Sequence, residues 1–199
     1  MIFRDVYDAL DDFAKVSKAA NSEYNRKTKN VNANYAGRLR AAAQEAAAAD
    51  RDSALDSARE KARTIIQNTL NEAKADALAI SGEAPVAGTA DALEAAKLPD
   101  LSDHEREALF AQYGKNYFSA RMLCDAIGDA SFAVVTVDDV VNDLNEAQEI
   151  FRAALGSSHP NGDYLFLNCV SGNRLEEQEQ EIDKFLKHDF LKVQEPENA

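Results

Sequence analysis

The chain has 199 residues, is 45% hydrophobic without a single tryptophan, and carries a net charge of −13. Much of the apolar share is alanine, which buries little area, so the composition suits extended helices with a narrow seam better than a thick globule. An acidic surface repels bulk nucleic acid, no apolar window approaches the ~18 residues of a membrane span, and two cysteines are too few for a secreted disulfide scaffold.

The first 80 or so residues contain no proline and one glycine, Gly37. The start, MIFRDVYDALDDF, lacks the basic opening and unbroken apolar core of a signal peptide, so the cytoplasm is the expected compartment. Phe3, Val6, Tyr7, Leu10, Phe13 and Val16 step by three and four and predict one face of an amphipathic helix. The pattern weakens over residues 28–34, where three asparagines compete for backbone hydrogen bonds and predict a break or turn. From Tyr35 a thin seam resumes through Leu39, Ala42, Ala46 and Ala49, and then Leu55, Ala58, Ala62, Ile65 and Thr69. Ile66, Leu70, Ala73, Ala77 and Ile80 form a neighbouring row. Such an alanine-rich helix is a rod of ~65 Å that cannot bury itself alone. It needs the first helix folded back, a second copy, or another protein.

Residues 82–100 read as a linker, with Gly82, Pro85, Gly88 and Pro99 and a short helix at 90–97. Ser102 and Glu105 form a capping box for a helix ending at Gly114, read as a left-handed terminator. A second helix covers 116–127 and stops at Gly128. Residues 132–137 (FAVVTV) are expected as an extended loop, since an isolated strand has no partner. Thr136 then caps a helix over 137–155. Residues 159–162 predict a turn, 164–170 an apolar helix or strand, 175–191 a last helix, and 193–199 a disordered tail. The expected fold class is all-α: a long N-terminal coiled-coil-like rod or hairpin (1–81), a linker, and a small C-terminal helical module (101–192).

No catalytic, metal or cofactor constellation stands out. His104, His159 and His188 are scattered and lack metal-ligand spacing. Ser157, Ser158 and His159 lack the strand–turn–helix setting of a nucleophile elbow. The acidic run Glu176, Glu177, Glu179, Glu181 and Asp183 fits a solvated helix face. Cys124 and Cys169, each beside an apolar residue, read as buried free thiols. The charge is nevertheless uneven: residues 1–40 hold 8 Lys/Arg against 5 Asp/Glu, and residues 114–199 hold 7 against 16. Arg26, Lys27, Lys29, Arg38 and Arg40 are uninterrupted by any acid, with Tyr24 and Tyr35 among them. That stretch suits an acidic protein surface better than a nucleic acid.

A polar break at 23–35, an Ala/Glu-rich helix at 41–80, and a module opening with Leu101-Ser102-Asp103 and continuing through Tyr113-Gly114-Lys115-Asn116-Tyr117 together resemble the scaffolding-like minor structural proteins encoded near the capsid genes of tailed phages and prophages. The resemblance covers roughly residues 20–130 and implies a non-enzymatic role in head assembly, with capsid or other virion proteins as partners and a homo-oligomeric state. The acidic C-terminus departs from the basic shell-gripping end of such scaffolds. Arg26, Lys27, Lys29, Arg38 and Arg40, with Tyr117, Phe118 and Met122 of the module, are the expected partner contacts. The alternative is a small acidic inhibitor or adaptor that binds a host or bacterial enzyme, by mimicking nucleic-acid charge.

Overall fold

A computed structural model describes residues 2–128, 133–156 and 172–192. The expected turn at 159–162, the apolar run at 164–170, Cys169 and the tail at 193–199 lie outside them. The described chain is all-α, with seven helices: α1 (Arg4–Asn34), α2 (Gly37–Ser81), α3 (Thr89–Ala96), α4 (Asp103–Tyr113), α5 (Tyr117–Ile127), α6 (Val137–Gly156) and α7 (Gly172–Leu186). Two short strands, β1 (Ala133–Val134) and β2 (Leu191–Lys192), pair antiparallel. Two compact units divide the chain: Ile2–Leu70 with Glu146–Leu175, and Asn71–Asn145 with the residues from Glu176 on. The boundaries fall inside α2, α6 and α7, not at the glycine- and proline-rich stretch where the sequence placed its linker.

In the first unit α1 and α2 form an antiparallel hairpin. Moving back along α1 and forward along α2, Asn32 meets Gln44 (2.8 Å), Lys27 meets Asp50 (2.7 Å), the Tyr24 ring lies under Arg51 (4.6 Å) and the Phe13 ring under Arg59 (5.9 Å). Val6, Ala9, Leu10 and Phe13 are the buried face of α1, as their spacing requires. Phe3 and Phe151 are fully buried and stack edge to face with centroids 5.3 Å apart; Tyr7 joins them at 6.0 Å from Phe151. Arg59 donates from Nε to the Leu155 carbonyl, satisfying an end of α6 (3.1 Å).

The chain does not break at 28–34. Helix α1 runs to Asn34, and the reversal occupies only Tyr35 and Ala36 before Gly37 opens α2 at φ +56°. That left-handed conformation favours glycine. The asparagines find partners compatible with a helix: Asn34 donates to the Asn30 carbonyl (2.9 Å) and Asn32 accepts from Gln44. Val31 is buried and holds the last turns in place. The α2 seam is also rotated from expectation. Its buried residues are Ala47, Ala62, Ile66, Leu70, Ala73, Ala77 and Ile80, whereas Leu39 is 70% exposed. The row named from Ile66 through Ile80 is turned inward as read, while of the first seam only Ala62 is buried.

The second unit contains α3, α4 and α5 around Ala92, Ala96, Phe110 and Leu123, with Leu93, Leu109 and Ile127 packed alongside. The stretch 82–100 is therefore part of a core and no free linker. The Val86 amide donates to Ser119 Oγ (3.1 Å), Thr89 shares a hydrogen bond with that hydroxyl (2.8 Å), and Asn116 donates to the Ala84 carbonyl (2.9 Å). The capping box is present: the Glu105 amide donates to Ser102 Oγ and the Ser102 amide to Glu105 Oε2 (2.8 Å). Gly128 is left-handed as expected, but Gly114 has φ −71°. Glycine is required at 114 by space: a Cβ there would lie 2.5 Å from the Phe110 carbonyl oxygen.

Thr136 caps α6 by accepting from the Asp139 amide (3.1 Å). The last helix ends at Leu186, earlier than expected, and His188 adopts φ +61°. The reversal lets Leu191 pair with Val134, the strand partner that the sequence did not reveal. Phe190 then enters an aromatic cluster with Tyr117 and Phe185, centroids 5.1–5.6 Å apart.

Candidate partner-binding surfaces

The five expected cations gather at the hairpin tip, Arg26, Lys27 and Lys29 near the end of α1 and Arg38 and Arg40 in the first turn of α2. They do not share one role. Arg26 forks onto Glu23 at 2.7 and 2.8 Å, and Lys27 reaches Asp50 across the hairpin. These bonds hold the Glu23 carboxyl below its usual range and raise both cations. Arg40 donates to the carbonyls of Tyr35 (2.9 Å) and Asn32 (3.3 Å), filling acceptors that the end of α1 leaves open. Lys29 and Arg38 are exposed and have no acceptor among the described residues.

Tyr35 in the reversal and Leu39 in the first turn of α2 are 48% and 70% exposed. The tip thus combines two large apolar side chains with two uncommitted cations. Tyr24, which the sequence grouped with Tyr35, is occupied by the Arg51 guanidinium. Further along the hairpin, an open groove of about 820 Å³ has Asp5, Asp8, Asp12 and Lys15 on its α1 wall and Ala54, Ala58, Lys61 and Ala62 on its α2 wall.

In the second unit the three expected contacts separate. Tyr117 is 2% exposed, and its hydroxyl accepts from the Val137 amide (3.2 Å). It is a core residue, and its place as a partner contact is corrected accordingly: helix α5 turns it toward Phe185 and Phe190. Phe118 and Met122, four residues apart on α5, are 38% and 39% exposed and lie on one outward face.

Of the groups considered for chemistry, Ser157, Ser158, His159 and Cys169 lie outside the described residues. His188 packs its ring against Phe190, and its Nδ1 lies 3.2 Å from the Lys115 carbonyl. Burial, with a smaller contribution from Asp125, pushes the Cys124 thiol up to about 11. The acidic run on α7 is only partly solvated, since Glu179 is 7% exposed while Glu176 and Glu177 face solvent. Among the described residues no cluster of three or more His, Cys, Asp or Glu is placed to hold a metal ion, and no helix is long and apolar enough to cross a membrane. Neither protein-family models, curated proteins nor solved structures gave a match to this chain.

Proposed function

We propose that this chain is a non-enzymatic assembly protein that acts through protein–protein contacts, with the α1–α2 hairpin tip as its principal docking surface. The observation that carries this reading is the exposure of Tyr35 and Leu39 at the hairpin tip, on a segment whose cations Lys29 and Arg38 have no acceptor among the described residues. An exposed apolar pair on the one stretch of basic excess, in a chain of net charge −13, favours an acidic protein surface with an apolar centre. Phe118 and Met122 supply a second, less salt-sensitive contact. Head assembly in a tailed phage, with a shell or other virion protein as partner and the chain acting as a homo-oligomer, is the instance that the sequence resemblance implies.

The test is co-expression with the capsid protein encoded beside this chain's gene, comparing the intact chain with a Tyr35→Ser/Leu39→Ser double variant. These substitutions leave the hairpin core intact, unlike deletion of residues 1–40, which would remove α1. The expected outcome is closed shells with the intact chain and aberrant or absent shells with the variant. Normal shells from capsid protein alone and from the variant would overturn the assembly role.

A further inference from the structure

Away from the tip, the first unit holds a cavity of about 180 Å³ whose polar lining is Arg59, Arg63, Gln67, Gln148 and Arg152. Arg59, Arg63 and Gln67 recur every four residues on α2, and Gln148 and Arg152 do so on α6, so each helix presents a ladder of donors on one face. Ile66, Leu155 and Gly156 complete the lining, and among the described residues no carboxylate is part of it. Each arginine has an acidic neighbour three residues earlier: Asp56, Glu60 and Glu149 take one Nη1 each at 2.7, 3.1 and 2.7 Å. Those bonds leave donors over. Arg59 keeps Nη2, and Arg63 and Arg152 keep Nε and Nη2, without an acceptor among the described residues. The end of α6 would disfavour an anion here, but Arg59 Nε already holds the Leu155 carbonyl.

We infer that this cavity binds a phosphate group. A planar carboxylate offers two oxygens and satisfies one guanidinium fork. Three guanidiniums drawn from two helices match the tetrahedral oxygens of phosphate, which lie in more than one plane. The Gln67 carboxamide adds a neutral donor without adding charge. The source is inorganic phosphate or the phosphate of a monoester, which present the same chemistry to the pocket.

Inorganic phosphate and adenosine monophosphate are titrated separately into the full chain at low salt, with chloride at matched ionic strength as the control. Calorimetry and the arginine Nε–H resonances are the readouts. Saturable binding of phosphate is expected, weakened roughly 10-fold by Arg63→Gln and again by Arg152→Gln, since charge-assisted bonds of this kind are lost. Both side chains are more than half exposed with a single near neighbour, so thermal unfolding of the variants should match the parent. Nucleotide binding as tight as phosphate assigns a monoester, and phosphate binding alone assigns the free ion; either outcome supports the site. A phosphate titration indistinguishable from chloride, or variants that bind like the parent, overturns it.

Discussion

Toward the start of α1 the hairpin buries Phe3, Val6, Leu10 and Phe13, and Phe151 of α6 closes over Phe3 and Tyr7. Toward its tip, beyond Ser17, the buried residues of α1 and of the first half of α2 reduce to Val31 and Ala47. The larger apolar residues there, Tyr35 and Leu39, face solvent. One hairpin thus has an end held by rings and an end held by small contacts and cross-helix polar bonds. Burial is concentrated at one end of the pair of helices, and the docking proposed above would use the other. An alanine seam lets the backbones approach while leaving few large side chains to bury, so those that remain are available to a partner.

The most damaging test of this division is Phe151→Ala. Removing a fully buried ring that touches two others should cost about 3–5 kcal/mol, read as a fall in the denaturant midpoint at unchanged slope. A midpoint equal to the parent's would show that the ring cluster does not anchor the hairpin. Ala47→Leu probes the other end. Ala47 is 4% exposed, and a larger side chain should overpack the narrow seam at a cost of about 1–3 kcal/mol. A stabilised variant would mean that the tip has spare room and that its thin packing is no constraint.

Gly37→Ala is expected to cost about 1–2 kcal/mol, because alanine must take the left-handed conformation at φ +56°. No heavy atom lies within 4 Å of the added Cβ, so the loss is one of backbone conformation alone. Gly37→Asn, which tolerates that region better, should recover part of it. Equal stability of the two variants would place the turn's strain elsewhere.

Local signals were legible where one residue type decides the outcome. Ser102 and Thr136 cap helices because their side chains reach an amide three residues on, whereas Asn116, read as the first residue of its helix, is the cap of α5. Gly128 ends a helix because only the backbone conformation matters there. Long-range partners were not legible. The asparagines at 30–34 looked like a break until Gln44 supplied an acceptor's partner from the other helix. Residues 84–89 looked like a linker until Ser119 and Asn116 bonded to them. The strand at 133 lacked a partner because its mate lay in a segment that reads as helix. The same limit governs the surfaces. The basic run was visible as a run, yet which cations are free depended on Asp50 and on the end of α1. The arginine pocket escaped notice because its two ladders lie about 90 residues apart, although the Arg59, Arg63, Gln67 spacing was present in the sequence.

The smallest expected effect on stability decides most about function. Leu39 fits the seam of a repeating pattern, and on that pattern alone Leu39→Asp would disrupt packing. At 70% exposure it has little to lose, and the substitution should change the unfolding free energy by no more than about 0.5 kcal/mol. Its effect should appear in association instead. The variant places a carboxylate in the first turn of α2, between Arg38 and Arg40 in the chain, removes an exposed apolar group, and would offset part of the positive charge proposed to draw an acidic partner. Binding at the tip should therefore weaken far more than the fold does. The parent's binding should also weaken with salt, since exposed charges are screened within ~8 Å at physiological ionic strength, whereas Phe118→Ala should change affinity without changing the salt dependence. The comparison needs two measurements on the same protein, a denaturation curve and a binding or shell-assembly assay. A Leu39→Asp chain that unfolds at a much lower denaturant concentration would return this residue to the hairpin core. One that matches the parent in both measurements would remove the tip as a docking surface.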